Sequence, residues 1–172
     1  MTEANELIRL RQALGSGQAL SFAIGGAEYA LPIASLREIA EIRAVDPADE
    51  AVLPLRGTIE LRGATVPVLD LGHELGQGET ALGGQSCVLV LEVPLGGRPA
   101  LLGVLADDVR DLVDLAPDDV LPPPPLGPHR VRQLLGVARR AEGLVLLVDP
   151  FRLLTPADEA VAARLHRVAL DA

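Results

Sequence analysis

The sequence predicts a mainly β protein: two small, related β-barrel subdomains of about five strands each, with a short helix at either end. Three observations carry this reading. Short aliphatic runs, Leu20–Ile24, Thr65–Leu69, Cys87–Val93, Ala100–Leu105 and Leu144–Val148, are separated by Gly and Pro at close spacing, which suits a small barrel or sandwich better than a parallel sheet. Helix signals are confined to the two ends of the chain. A weak internal repeat divides what lies between.

Taken in order, the first fifteen residues read as an amphipathic helix, with Leu7, Leu10 and Leu14 on one face and Gly15 as its stop. Gly15-Ser16-Gly17 is a joint, so residues 1–18 form an N-terminal helix and linker. Residues 19–155 form the β region. Gly25-Gly26 and Gly96-Gly97 are hairpin signals, because a two-residue turn that matches strand twist needs positive φ at both positions. Pro67 marks an edge or bulged strand, and Pro122-Pro123-Pro124-Pro125 an extended segment, since proline donates nothing to a ladder. Gly76-Gln77-Gly78 and Gly83-Gly84 read as a mobile loop. Thr155-Pro156-Ala157-Asp158 supplies a capping hydroxyl, a proline at the first helical position and an acid at the third. Residues 156–172 are therefore the C-terminal helix, expected from Pro156 to about Leu170 with Val161, Leu165 and Val168 or Ala169 inward.

The repeat lays Ala30–Ile42 over residues 103–115, an offset of 73 that matches Leu36-Arg37-Glu38-Ile39 to Val109-Arg110-Asp111-Leu112. Downstream the offset becomes 79: Gly57 meets Gly136, Val66 meets Val145 and Asp70 meets Asp149. The step falls where the connecting loops differ in length.

Composition removes several kinds of chemistry. The chain has 172 residues, 49% hydrophobic but only 2% aromatic, so its core is built from Leu, Val, Ile and Ala. A net charge of −9 repels polyanions, and three scattered rings offer no base-stacking platform, so nucleic acid is not a partner. Lysine is absent, which excludes Schiff-base and P-loop chemistry. One cysteine forms no internal disulfide or multi-cysteine zinc site, and His73, His129 and His166 fall in different elements with no ligand spacing. The opening residues lack an apolar targeting core, and no run of about 18 apolar residues exists to span a membrane. No serine sits in a nucleophile elbow. Cys87 opens the apolar strand CVLVLEV and reads as a small buried hydrophobe. Asp107-Asp108 and Asp118-Asp119 read as a solvated rim or caps. Nothing assembles a nucleophile, a base and an orienting group, so the chain reads as a non-enzymatic binding protein without metal or cofactor.

One constellation stands apart: GTIELRGATVPVLDL, from Gly57 to Leu71. A tight Leu-Arg-Gly turn presents Arg62, whose planar fork suits a carboxylate, and Glu38 is the expected partner. Were that pair buried, removing one side would cost about 3–5 kcal/mol.

At these residues the sequence resembles the CheW family, the bacterial chemotaxis coupling proteins. The family's strand pattern stands as Phe22-Ala23-Ile24-Gly25, its next stretch as Tyr29-Ala30-Leu31-Pro32-Ile33, and its Glu-Ile box as Leu36-Arg37-Glu38-Ile39. The Leu-Arg-Gly box runs from Gly57 to Leu71 with Glu60 in place of the usual Asn. In the second half, Leu102-Gly103-Val104, Asp107-Asp108-Val109, Pro122–Pro125, Leu135-Gly136-Val137 and Val145–Asp149 continue the match. The resemblance implies two intertwined five-stranded SH3-like barrels. It also implies an adaptor linking the cytoplasmic tip of chemoreceptors (methyl-accepting chemotaxis proteins) to the regulatory domain of a CheA-type histidine kinase. Such a protein is cytoplasmic and meets the membrane's inner face only through receptor arrays, without inserting. In the family a groove between subdomains takes the receptor tip; the matching positions are Leu36, Glu38, Gly57, Arg62, Gly63, Cys87, Val88 and Gly103. Kinase contact is expected on turns around Gly127 to Leu135.

Two departures fall near the groove. Glu60 places a second carboxylate beside Arg62, in competition with Glu38, and the loop Val45 to Leu55 lacks the family's Pro-aromatic step. An adaptor of a non-flagellar chemosensory pathway, a homo-oligomeric β scaffold, and a small-molecule barrel using Arg62 and Glu38 are the alternative readings.

Overall fold

The computed structural model describes residues 17–41, 45, 55–75, 80–122, 132–140 and 143–168. The N-terminal helix, the loop before Leu55, Gly76–Gly78 and Pro123–Pro125 lie outside these. Strands β1 (Gln18–Ile24) and β2 (Ala27–Pro32) form a hairpin over Gly25-Gly26, whose φ angles are 58° and 85°. A 3-10 turn, Ile33–Ser35, leads into β3 (Leu36–Glu41). Strands β4 (Leu55–Leu61) and β5 (Ala64–Leu69) pair across Arg62-Gly63, and a one-turn helix α1 (Leu71–Glu74) follows. Strands β6 (Cys87–Leu95) and β7 (Arg98–Ala106) pair across Gly96-Gly97, with φ of 59° and 80°. Then come β8 (Asp108–Asp114), a 3-10 turn Pro117–Asp119, β9 (Val120–Leu121), β10 (Leu134–Arg140), β11 (Gly143–Val148), α2 (Pro156–Leu165) and β12 (Arg167–Val168).

Two sheets result. One has the order β8-β1-β2-β11-β10-β9; the other has β12-β5-β7-β6-β3, with β4 also on β5. The sequence repeat equates β1 to β5 with β6, β7, β8, β10 and β11. Applied to β8-β1-β2-β11-β10, that substitution yields β3-β6-β7-β5-β4, the second sheet. Each half of the chain therefore gives its first hairpin to the other half's barrel. The two parallel contacts are the same junction repeated: Leu147 lies beside Ala30, and Val68 beside Gly103. Both pairs are related by the offsets of 79 and 73 seen in the sequence.

Three cores follow from the exchange. Ile59, Val66, Val68, Val88, Val90 and Leu105 fill one barrel. Ala19, Ala30, Val113, Val120, Ala138, Val145 and Leu147 fill the other. The largest core lies between the sheets and gathers Phe22, Tyr29, Leu31, Leu69, Leu89, Leu91, Leu102 and Val148 among others. Along β6, Val88 and Val90 point into the barrel while Cys87, Leu89, Leu91 and Val93 point between the sheets. Buried on both faces, such strands read as continuous rather than alternating hydrophobic runs.

Two expectations need correction. The C-terminal helix ends at Leu165, not Leu170: His166 turns extended (φ −70°, ψ 123°), and Arg167–Val168 joins the β5 ladder, a partner invisible to local helix signals. Its buried residue is Ala162 rather than Leu165, while its start is as expected, with the Thr155 hydroxyl accepting from the Asp158 amide at 3.1 Å. Pro67 lies in an interior strand, not an edge. It is tolerated because β12 covers Ala64 and Thr65 and β7 covers Val68 and Leu69 on that side, leaving Val66 and Pro67 in the gap.

Candidate functional site

The register of the second sheet strings five positions in a row: Glu38 beside Val90, Val90 beside Gly103, Gly103 beside Val68, and Val68 beside Gly57. The row runs from β3 at one side of the barrel to β4 at the other. Arg62, in the β4–β5 turn, then reaches Glu38 with Nη2 donating to Oε2 at 2.6 Å, and so joins β3 to the β4–β5 hairpin. The expected pair is present, but the Arg62 side chain is 77% exposed and that of Glu38 25%. It is a surface clasp, and the cost of a buried pair does not apply.

The clasp is held by an unusual backbone. Arg62 has φ 49°, the sole non-glycine with positive φ among the described residues, and Gly63 follows at 82°. The two-residue turn that suits the strand twist needs both in the left-handed region, where glycine, Asn or Asp fit more readily than Arg. Glu60 does not compete for the guanidinium as expected: its Oε1 accepts from the Thr65 hydroxyl at 2.7 Å, across the same hairpin.

The eight family positions separate into a surface and a support. Arg62 and Gly63 are exposed, and Leu36 and Glu38 are half-buried along β3. Gly57, Cys87, Val88 and Gly103 are buried behind them. Val88, with no accessible surface, is core. A Cβ built on Gly103 would lie 2.6 Å from Val88 Cγ1, so this crossing of the sheet requires glycine. Burial, then the charge of Asp108, pushes the Cys87 thiol up to about 11, in keeping with a structural rather than reactive cysteine. Ile39, exposed on the outer face of β3, is the one large apolar side chain of that strand turned to solvent.

The sequence singled out Arg62 alone among the arginines; the structure adds Arg56. Its Nη1 donates to the Thr80 carbonyl at 2.5 Å and lies 3.5 Å from Asp70 Oδ2. The Asp70 carboxylate, fully buried, also accepts from the Thr80 amide at 2.8 Å and the Thr80 hydroxyl at 2.7 Å. Leu55 pairs with Leu69 and Gly57 with Val68, so Arg56 is the extra residue of a β-bulge and lies diagonally across the Leu55–Leu69 rung from Asp70. Asp107 and Asp119 act as caps: Asp107 Oδ2 accepts from the Gly25 amide at 2.8 Å, and Asp119 Oδ2 from the Ala116 amide at 3.0 Å.

Among the described residues no cluster of His, Cys, Asp or Glu is arranged to hold a metal, and no helix is long and apolar enough to cross a membrane. A cleft lined by Val93, Leu95, Leu102, Phe151, Leu154 and Glu159 does not include Arg62 or Glu38, the pair that a small-molecule site was expected to use.

Two exchanged β-barrels, joined by a shared apolar core and presenting a charged clasp on one rim, define a double-barrel β protein. The sequence profile of the CheW-like domain matches residues 18–158, and the chain belongs to that family of chemotaxis coupling proteins. Its relatives include the chemotaxis protein CheW of Rhizobium meliloti, 25% identical over 149 residues, covering 87% of this chain and 94% of the relative. CheW of Klebsiella aerogenes is 27% identical, covering 83% and 84%. Protein FrzA of Myxococcus xanthus is 28% identical, covering 89% and 94%. The crystal structure of the scaffolding protein TtCheW from Thermoanaerobacter tengcongensis has the same fold, with a TM-score of 0.71, 21% identity, and coverage of 81% of this chain and 88% of that one.

Proposed function

We propose that this chain is a non-enzymatic cytoplasmic adaptor that couples the tip of a chemoreceptor to the regulatory domain of a CheA-type histidine kinase. The observation that carries the reading is the clasp: a mostly exposed Arg62 kept in a left-handed turn and aimed at Glu38. A strained, exposed arginine contributes little to folding, and such positions persist where a partner uses them. Membership of the CheW-like family supports a receptor and a kinase as the partners.

The mechanism is geometric. Leu36, Glu38, Arg62 and Gly63 form the contact surface for the receptor tip, while Gly57, Cys87, Val88 and Gly103 set the spacing of the strands beneath it. The kinase contact is expected around Gly127 to Leu135, of which residues 127–131 lie outside the described residues and Leu134 opens β10. Because the barrels share hairpins and one large core, a shift at the receptor rim is carried to the kinase rim as a rigid displacement, which is the physical content of coupling between two sites.

Co-sedimentation with receptor-containing membranes and a CheA-type kinase tests this. Retention of the chain with both partners at micromolar concentration is expected. Retention with neither overturns the reading.

A further inference from the structure

The C-terminal strand occupies a position that the adaptor reading leaves unexplained. β12 consists of Arg167 and Val168 alone, antiparallel to the start of β5, with Arg167 opposite Thr65 and Val168 opposite Ala64. Val168 sits opposite Ala64, the residue after Gly63, so β12 lies on the β5 edge that adjoins the clasp turn. The next strand on that edge, β7, pairs only with Val68 and Leu69. Two ladder positions are a weak attachment, because the net gain from a backbone hydrogen bond is close to the entropy lost in ordering the residue that makes it.

The joint is also imperfect. One residue, His166, separates α2 from β12. Its amide donates to the Ala162 carbonyl at 2.9 Å, but its Nε2 is buried with no hydrogen-bond partner among the described residues. Release of β12 would hydrate that nitrogen, whereas closure leaves it unsatisfied. A short ladder and an orphaned polar atom at the hinge both favour a strand that comes and goes.

We propose that β12 is a releasable strap over the β5 edge, and that its closure competes with docking of the receptor tip at Arg62 and Glu38. The identity of the ligand rests on the adaptor reading; the strap itself does not. When the strap is closed, the edge of Ala64 and Thr65, next to Gly63 in the chain, is occupied by the chain's own backbone. When it opens, the edge of Ala64 and Thr65 joins the surface available to a partner. The apparent affinity is then reduced by the fraction of time the strap is closed.

Two independent measurements test this. Amide hydrogen exchange on the full chain should show β12 and its partner positions on β5 exchanging far faster than the β6–β7 ladder; exchange of β12 only on global unfolding overturns the strap. Receptor-membrane binding should strengthen about 2- to 10-fold when the chain is ended at His166. The cross-strand pair Thr65→Cys with Arg167→Cys, oxidised to hold the strap closed, should bind more weakly than its own reduced form. Unchanged binding in both comparisons overturns the competition while leaving the adaptor reading intact. Failure of the full chain, the shortened chain and the reduced variant alike to bind receptor membranes overturns the adaptor reading, and with it the competition, and the exchange measurement still decides whether the strap opens.

Discussion

Replacing Arg62 with Asn separates a partner contact from a structural ion pair, because the two roles predict opposite changes in stability. A non-glycine residue in the left-handed region costs about 1 kcal/mol or more, and Asn is among the residues that tolerate it best. The opposing loss is the hydrogen bond of 2.6 Å to Glu38, whose arginine side is 77% exposed. Pairs with that exposure are worth about 0–1 kcal/mol. Arg62→Asn is therefore expected to leave stability unchanged or raise it by about 1 kcal/mol, which in a domain of this size moves the Tm by about 2–4 °C upward at most. Binding to receptor-containing membranes should fall at least about tenfold, as expected for losing an interfacial arginine. Calorimetry on the wild type and the variant, run beside co-sedimentation, reads both quantities. A Tm lowered by more than about 4 °C would refute the surface assignment, because an exposed pair cannot supply that energy. Unchanged binding at unchanged Tm would remove Arg62 from the contact surface.

Four further outcomes follow from buried groups. Gly103→Ala places a methyl 2.6 Å from Val88 Cγ1 and should destabilise by about 1–3 kcal/mol in urea unfolding, with Val88→Ala in the same chain recovering part of that loss as a non-additive term. Asp70→Ala strips Arg56 and the Thr80 amide and hydroxyl of their shared acceptor, so a loss of about 3–5 kcal/mol is expected; a loss below about 1 kcal/mol would show that the buried carboxylate is not needed. Cys87, pushed up to about 11 by burial, should resist a thiol-specific reagent at neutral pH until the protein unfolds. With the thiol raised in the folded state, its contribution to stability is fully present below pH 9 and is lost as pH rises toward 11, so a Cys87→Ala variant should show a flatter decline across that window.

Local order along the chain was legible because it rests on local chemistry. The glycine pairs at Gly25-Gly26 and Gly96-Gly97 announced their hairpins through the need for positive φ, and Thr155-Pro156 announced a helix start through capping. The Leu-Arg-Gly box announced both the turn and the partner of Arg62, since a forked cation needs a carboxylate and Glu38 was the suitable one. The repeat, with its offsets of 73 and 79, contained the equivalence of strands that the two sheets display.

What the sequence determined by itself was most of the strands, the turns between them, the aliphatic core and the arginine of the clasp. What only the tertiary structure decided was who pairs with whom. A repeat is silent on whether a hairpin returns to its own half or crosses to the other. Crossing is set by the parallel contacts of β2 with β11 and of β5 with β7, which join residues far apart in the chain. The same non-local pairing ended the last helix at Leu165, because the β5 edge offered Arg167 and Val168 a ladder that no local signal encodes. It also sorted the eight rim positions into surface and support, placing Val88 in the core and Arg62 at the rim.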